Sequence, residues 1–245
     1  MWRKMHPVLD RAINATNSVL ERIFGLRVIL SKGTFDQARV HLLTSSGIDA
    51  VVDGGANEGQ WALRTISHLS EGCELISFEP NAKSFKILKA KAENYVNWNV
   101  HNFGLSDKSG TFPIYISSNN EMSSSFLQPG GHLDSFPTVS FPEVGSASVM
   151  RLDELKSLSA SRGIYLKLDV QGFEKFAYEG CAGILDKIKV IEIETSLGTM
   201  YQGDSPHYEL IPKLISDGFL PYAFSTPARD KYGRCSYVDV LLVRE

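Results

Sequence analysis

Val51-Val52-Asp53-Gly54-Gly55-Ala56-Asn57-Glu58-Gly59 is the stretch that decides how this chain is read. Two β-branched residues run into an acid, and glycines follow at once. Buried parallel strands look like this where their carboxyl ends open onto a crevice. Glycine lets the backbone turn sharply there and approach a ligand closely. Two further stretches repeat the pattern: Ile76-Ser77-Phe78-Glu79-Pro80 and Leu166-Lys167-Leu168-Asp169-Val170-Gln171-Gly172.

Outward from these three, strand and helix alternate. Strands are expected at 48–53, 74–79 and 100–103, with helices at 57–69 and 82–94 between them. After an added strand at 111–116, residues 117–145 are rich in Ser, Asn, Pro and Gly and read as one long loop, either a lid or disordered. The alternation then resumes: helix 152–158, strand 164–169, helix 173–185, strand 190–194 and helix 207–217. A closing pair of strands falls at 220–224 and 237–243. The rhythm predicts an α/β, Rossmann-like, mostly parallel sheet with right-handed crossovers. Residues 46–245 form that domain. Residues 1–45 form a helical extension, with an amphipathic helix over 6–25 and a second helix over 35–44. The extension is expected to cap the domain. A homodimer contact and a peripheral membrane contact are its alternatives.

Composition narrows the class. With 245 residues, 43% hydrophobic and 22% charged, the chain can bury a sizeable core. A net charge of −3 argues against a nucleic-acid backbone as main partner. Cys73, Cys181 and Cys235 are odd in number and far apart, so neither a disulfide framework nor a zinc site is expected, and a reducing, cytoplasmic setting is. No apolar run reaches the ~20 residues of a membrane span.

The first turn fits D-x-G-x-x-x-G through Asp53, Gly55 and Gly59. It misses the dinucleotide fingerprint at Ala56. A carboxylate at the strand end repels a pyrophosphate but suits the cationic amino and sulfonium groups of S-adenosylmethionine. Glu79, 26 residues after Asp53 and one strand on, is placed to accept ribose hydroxyls. Gly54, Ala56, Asn57 and Pro80 complete the two turns. Asn102, Gly104, Leu105 and Ser106 lie where an adenine is expected. A nicotinamide-dependent oxidoreductase is the rival within the fold, and Asp53 and Ala56 count against it. It also lacks a Tyr-x-x-x-Lys pair, since Tyr178 is followed at 182 by Ala and Tyr201 at 205 by Ser. A non-catalytic interaction module is the rival outside enzymes; Asp53, Glu79 and Asp169 speak against such decay.

In the order and number of these motifs the chain resembles the FkbM family of S-adenosylmethionine-dependent methyltransferases. Further along, the resemblance is carried by Asn102-Phe103-Gly104-Leu105-Ser106, Ser123-Ser124-Ser125-Phe126, Arg151-Leu152-Asp153, Lys167 through Glu174, Glu192-Ile193-Glu194 and Tyr237-Val238-Asp239-Val240. It covers residues 26–245. Many members have Glu where this chain has Gln171. The resemblance implies a seven-stranded methyltransferase sheet and methyl transfer to oxygen, often a sugar hydroxyl in a polysaccharide, glycolipid or glycosylated natural product.

A hydroxyl acceptor needs a base or a metal. Asp169, at the end of the central strand, is the first candidate base. Lys167 shares its face, because strand side chains alternate. Glu174 and Glu194 complete an acidic rim, with Glu192 deeper on the same strand face. No compact ligand motif marks a metal site, although such a rim leaves a divalent cation open. His132 and His207 are further base candidates. Ser123, Ser124, Ser125, Tyr201 and Trp61 are candidates to contact the acceptor.

Overall fold

The computed structural model describes residues 34–45 and 47–244. The helix expected over 6–25 lies outside them. The first described helix, α1 (Phe35–Ser45), falls where the second was expected. Strands β1 (Ala50–Gly54), β2 (Glu74–Phe78) and β3 (Trp98–His101) alternate with helices α2 (Gln60–Thr65) and α3 (Ala82–Ala92). Helix α3 starts where the Asn81 side chain accepts the Lys83 N–H at 2.9 Å. The chain then leaves the sheet for β4 (Gly104–Leu105), β5 (Gly110–Ile116), helix α4 (Gly131–Ser135) and β6 (Glu143–Met150). It returns as β7 (Ile164–Leu168), α5 (Glu174–Glu179), β8 (Ile188–Ser196) and α6 (His207–Ser216). Strands β9 (Leu220–Phe224), β10 (Ala228–Arg229) and β11 (Cys235–Val243) close the fold.

The main sheet runs β3-β2-β1-β7-β8-β11, with β9 and β10 both on β11. Its first five strands are parallel, and β11 lies antiparallel to β8. Among the described residues it has eight strands rather than seven, because the two-residue β10 adds a short pair. Successive residues of β1 feed opposite cores. Val52 packs with Phe78, Leu166 and Ile191, while Val51 packs with Leu75, Trp61 and Tyr165. Strands covered on both faces explain the unbroken apolar runs in the sequence.

Strand order reverses between β1 and β7, since the chain builds outward to β3 and then returns to the other side of β1. Ligand crevices in open α/β sheets form at such a switch point. Here it sets the turn after β1 directly against the turn after β7. Asp169 N–H donates to Gly54 O at 3.2 Å. A Cβ on Gly55 would lie 1.9 Å from the Asp169 carbonyl oxygen, and Gly55 has φ +76°. Only glycine fits there.

The stretch after β5 is more ordered than a free loop. Strand β6 begins at Glu143 and pairs antiparallel with β5, giving a separate three-stranded sheet with β4. Residues 117–142 between them carry α4 and are pinned at Tyr115–Ser125 and Pro129–Tyr201.

Candidate functional site

Two joined cavities open at the switch point. The larger, of about 380 Å³, is lined by the Gly55-Ala56-Asn57 turn, by Glu79 and Pro80 at the end of β2, and by Gly104 and Leu105. Asp169, Gln171 and Glu194 line it and also the smaller cavity, of about 210 Å³. With Met122 they form the neck between the two.

Glu79 is the polar anchor of the larger cavity. Its Oε2 accepts Asn57 N–H at 2.7 Å and its Oε1 accepts Asn81 N–H at 2.8 Å. It thereby fixes the first turn to the second. Each carboxylate oxygen can accept again. Burial pushes its carboxyl up to about 7, against the pull of the two backbone donors. Leu105, Ile114 and Phe126 make an apolar wall. The segment after β5 closes over this side. Asn57 Nδ2 donates to Asn120 O at 3.1 Å, and Ser84 Oγ donates to Glu121 Oε2 at 2.5 Å.

Asp53 stands elsewhere than the sequence suggested. It is wholly enclosed and lines neither cavity. Its charge is met from inside, by Lys167 Nζ 3.0 Å away. Burial still raises its pKa, with Lys167 opposing. The Lys167 ammonium also donates to Gly54 O at 3.2 Å and Gly55 O at 3.0 Å, and lies 3.7 Å from Asp169 Oδ2. Burial pulls its pKa down, but Asp53 and Asp169 outweigh this and raise it. Lys167 therefore holds the turn and stays charged.

Four other expected cofactor contacts also line neither cavity. Gly54 packs against Leu105 and Leu168. Gly59, at φ +85°, lets Leu88 and Trp98 close in. Asn102 Nδ2 donates to Glu79 O at 2.8 Å and Pro80 O at 3.1 Å, bracing the anchor from behind. Ser106 N–H donates to Met150 O, in the small sheet. These residues shape the site without facing it.

The neck is built around Gln171. Its Nε2 donates to Asp169 Oδ1 at 2.8 Å and Glu194 Oε2 at 2.9 Å. The Tyr201 hydroxyl lies 3.0 Å from its Oε1 and 2.9 Å from Ser123 O, either of which can accept its proton. Gln171 has φ +55°, and its carbonyl accepts from Ser125 Oγ at 2.7 Å. Burial raises the Glu194 pKa well above the usual carboxylate range, and Asp169, Glu174 and Asp239 add to it. Asp239, opposite Glu194 in the register, is pushed up to about 6 by burial and by Asp169. Glu174 accepts Val170 N–H at 2.9 Å and Gly172 N–H at 3.2 Å, and burial lifts it to about 7. It lines the smaller cavity alone.

The sequence did not single out Arg39, Gln60 or Arg64, which also line the larger cavity. Arg39 grips Glu192 with Nε at 2.8 Å and Nη2 at 2.6 Å. Trp61 Nε1 and the Tyr165 hydroxyl donate to the same carboxylate, at 3.1 and 2.5 Å. No local motif announces this cluster, because its members come from four separate elements. His132, Ser123 and Tyr201 line the smaller cavity; Trp61, Ser124 and Ser125 line the larger. His207 lines neither and sits at the start of α6, its Nδ1 3.2 Å from Ser196 O. Among the described residues no group of three or more His, Cys, Asp or Glu side chains is arranged to hold a metal ion. Nor is any described helix long and apolar enough to cross a membrane.

Residues 53–221 match the family model described as Methyltransferase FkbM domain. The chain belongs to the FkbM methyltransferase family. Within that FkbM region lie both turns, the neck and most of the second cavity. A curated relative, 2-O-methyltransferase NoeI of Sinorhizobium fredii (strain NBRC 101917 / NGR234), is 27% identical over 173 residues, covering 68% of this chain and 71% of its own. The solved structure of methyltransferase FkbM from Methylobacillus flagellatus KT superposes with a TM-score of 0.50 at 15% identity. That match covers 79% of this chain but 44% of the other, so this FkbM chain spans less than half of that protein. It supports the fold: a mostly parallel, Rossmann-like sheet.

Proposed function

We propose that the chain transfers a methyl group from S-adenosylmethionine to a hydroxyl of a sugar, in a glycan, glycolipid or glycosylated natural product. The observation that carries this reading is the neck. One cavity with nucleoside-binding features and a second, separate cavity meet at a carboxylate held by Gln171. The relative that is a 2-O-methyltransferase supports transfer to oxygen.

The residues of the larger cavity fit the donor. Both Glu79 oxygens can accept a ribose hydroxyl, the wall of Leu105, Ile114 and Phe126 suits a flat base, and the turn N–H groups with Arg64 suit a carboxylate. When bound, the donor supplies a methyl on a sulfonium whose departure leaves a neutral thioether. The protein must hold an acceptor oxygen in line and relieve it of its proton. Asp169 sits at the neck and takes that proton. Burial raises the pKa of its neighbour Glu194. Gln171 holds both carboxyl groups still.

The experiment is transfer of a labelled methyl group onto glycans extracted from the cells that make the protein, followed by acid hydrolysis. An acid-stable methyl ether on a sugar carbon is the expected product. Label that leaves under mild base, as from an ester, or label on nitrogen would contradict O-methylation of a sugar.

A further inference from the structure

The two joined cavities differ in the cations on their walls. Arg39, Arg64 and Lys167 all line the larger one. The smaller one has no lysine or arginine on its walls, yet Asp169, Glu174 and Glu194 line it. We propose that the smaller cavity is the acceptor subsite, and that it takes a single hydroxylated, sugar-like ring bearing no phosphate, sulfate or carboxylate. This inference rests on the methyl-transfer reading and adds the class of ring accepted.

Shape is the first support. The cavity holds about 210 Å³, room for one ring rather than an extended chain. Tyr201, Tyr237, Phe136 and His132 surround it. Their rings lean on one another: His132 lies 5.1 Å from Phe136 and 5.6 Å from Tyr201, and Phe136 lies 6.2 Å from Tyr237. Such walls offer flat apolar faces to the C–H face of a sugar, while its hydroxyls turn toward Asn119 and the neck.

Charge is the second. An anionic group entering here would lose its water and meet no counter-charge. The one basic ring on the wall does not help. Burial lowers the His132 pKa, and its Nδ1 is enclosed with no hydrogen-bond partner. An anionic ring would also approach Asp169, the group that must stay ionised to accept a proton. A neutral ring meets neither penalty. The cations on the cofactor side do not serve it: Lys167 is engaged by Asp53 and the Gly54 and Gly55 carbonyls, Arg39 by Glu192, and Arg64 lines only the larger cavity.

The test uses the full chain, labelled S-adenosylmethionine and glycans from the cells that make it. The labelled sugars are released and separated by charge. Label in the neutral sugars is expected. Label in sugars bearing phosphate, sulfate or carboxylate overturns the inference. So does a chain that binds S-adenosylmethionine by calorimetry yet labels no sugar at all. A chain that does not bind S-adenosylmethionine overturns the methyl-transfer reading itself, which keeps the two failures apart. A second variant tests the place. Phe136 lines only the smaller cavity, so Phe136→Ala is expected to raise the acceptor KM about tenfold and leave donor affinity within about twofold. An unchanged acceptor KM would put the acceptor elsewhere.

Discussion

Lys167 Nζ lies 3.0 Å from Asp53 Oδ1 across the two central strands, with both side chains almost completely enclosed. The acid that leads the glycine turn is therefore neutralised within the protein. Lys167 also ties down the carbonyls of Gly54 and Gly55, so one cation sets both the charge and the shape of the turn. A buried pair is costly to break from one side. Lys167→Met is expected to destabilise the fold by about 3–5 kcal/mol, because Asp53 is left without its partner. The double variant Asp53→Asn/Lys167→Met should recover part of that loss. Urea unfolding of the single and double variants measures both, and equal stabilities would show that the pair is not coupled.

The pH dependence of stability should bear the mark of Glu79. Its carboxyl sits at about 7, above the ordinary 4.5, so the folded chain holds this proton more tightly than the unfolded chain. The contribution is complete below pH 4.5 and fades as pH rises through 7. Glu174 behaves alike for the same reason of burial. Each adds at most about 3 kcal/mol at low pH. Glu79→Gln should flatten its share of the slope between pH 5 and pH 8 in denaturant titrations. Donor affinity should move the other way: ionised Glu79 is the better acceptor for ribose hydroxyls, so binding should strengthen from pH 5.5 to pH 8 in the native chain and not in Glu79→Gln.

Gly55→Ala tests the close approach of the two turns. The added Cβ would meet the Asp169 carbonyl oxygen, and φ +76° strains any side chain. A loss of about 3 kcal/mol or more is expected, or failure to fold. A melting temperature equal to the native chain's would mean that the β1 and β7 turns are not packed as described.

At the neck, Asp169→Asn should keep donor affinity within several-fold and lower kcat by about 10²–10⁴. Gln171→Ala should lower kcat less, by freeing Asp169 and Glu194 to move, and should shift the pH–rate profile because Gln171 donates to both. A Gln171→Ala profile that overlays the native one would reduce Gln171 to a packing role.

Much of this was legible in the sequence. The strands announced themselves because burial on both faces leaves apolar runs, and Glu79 because its strand end carries a proline turn. Gly55, Asp169 and Glu194 converge as expected, since strand ends in a parallel sheet share one side. What hid was non-local. Asp53 looked ligand-facing, because no spacing rule reveals that Lys167, 114 positions later, pairs with it from the adjacent strand. The Arg39 grip on Glu192 hid for the same reason. Strand β6 was missed because Gly145, Ser146 and Ser148 dilute its apolar alternation, and only pairing with β5 holds it extended. The pattern showed a long loop at 117–145, but not that its first half is fastened to Asn57 and Ser84.

The central claim is that the larger cavity is built for S-adenosylmethionine. Calorimetric titration of the full chain with S-adenosylmethionine, and separately with NAD, tests it most directly. The account predicts micromolar S-adenosylmethionine binding that Glu79→Ala weakens about tenfold or more, and no NAD binding. Micromolar binding of NAD with none of S-adenosylmethionine would contradict it.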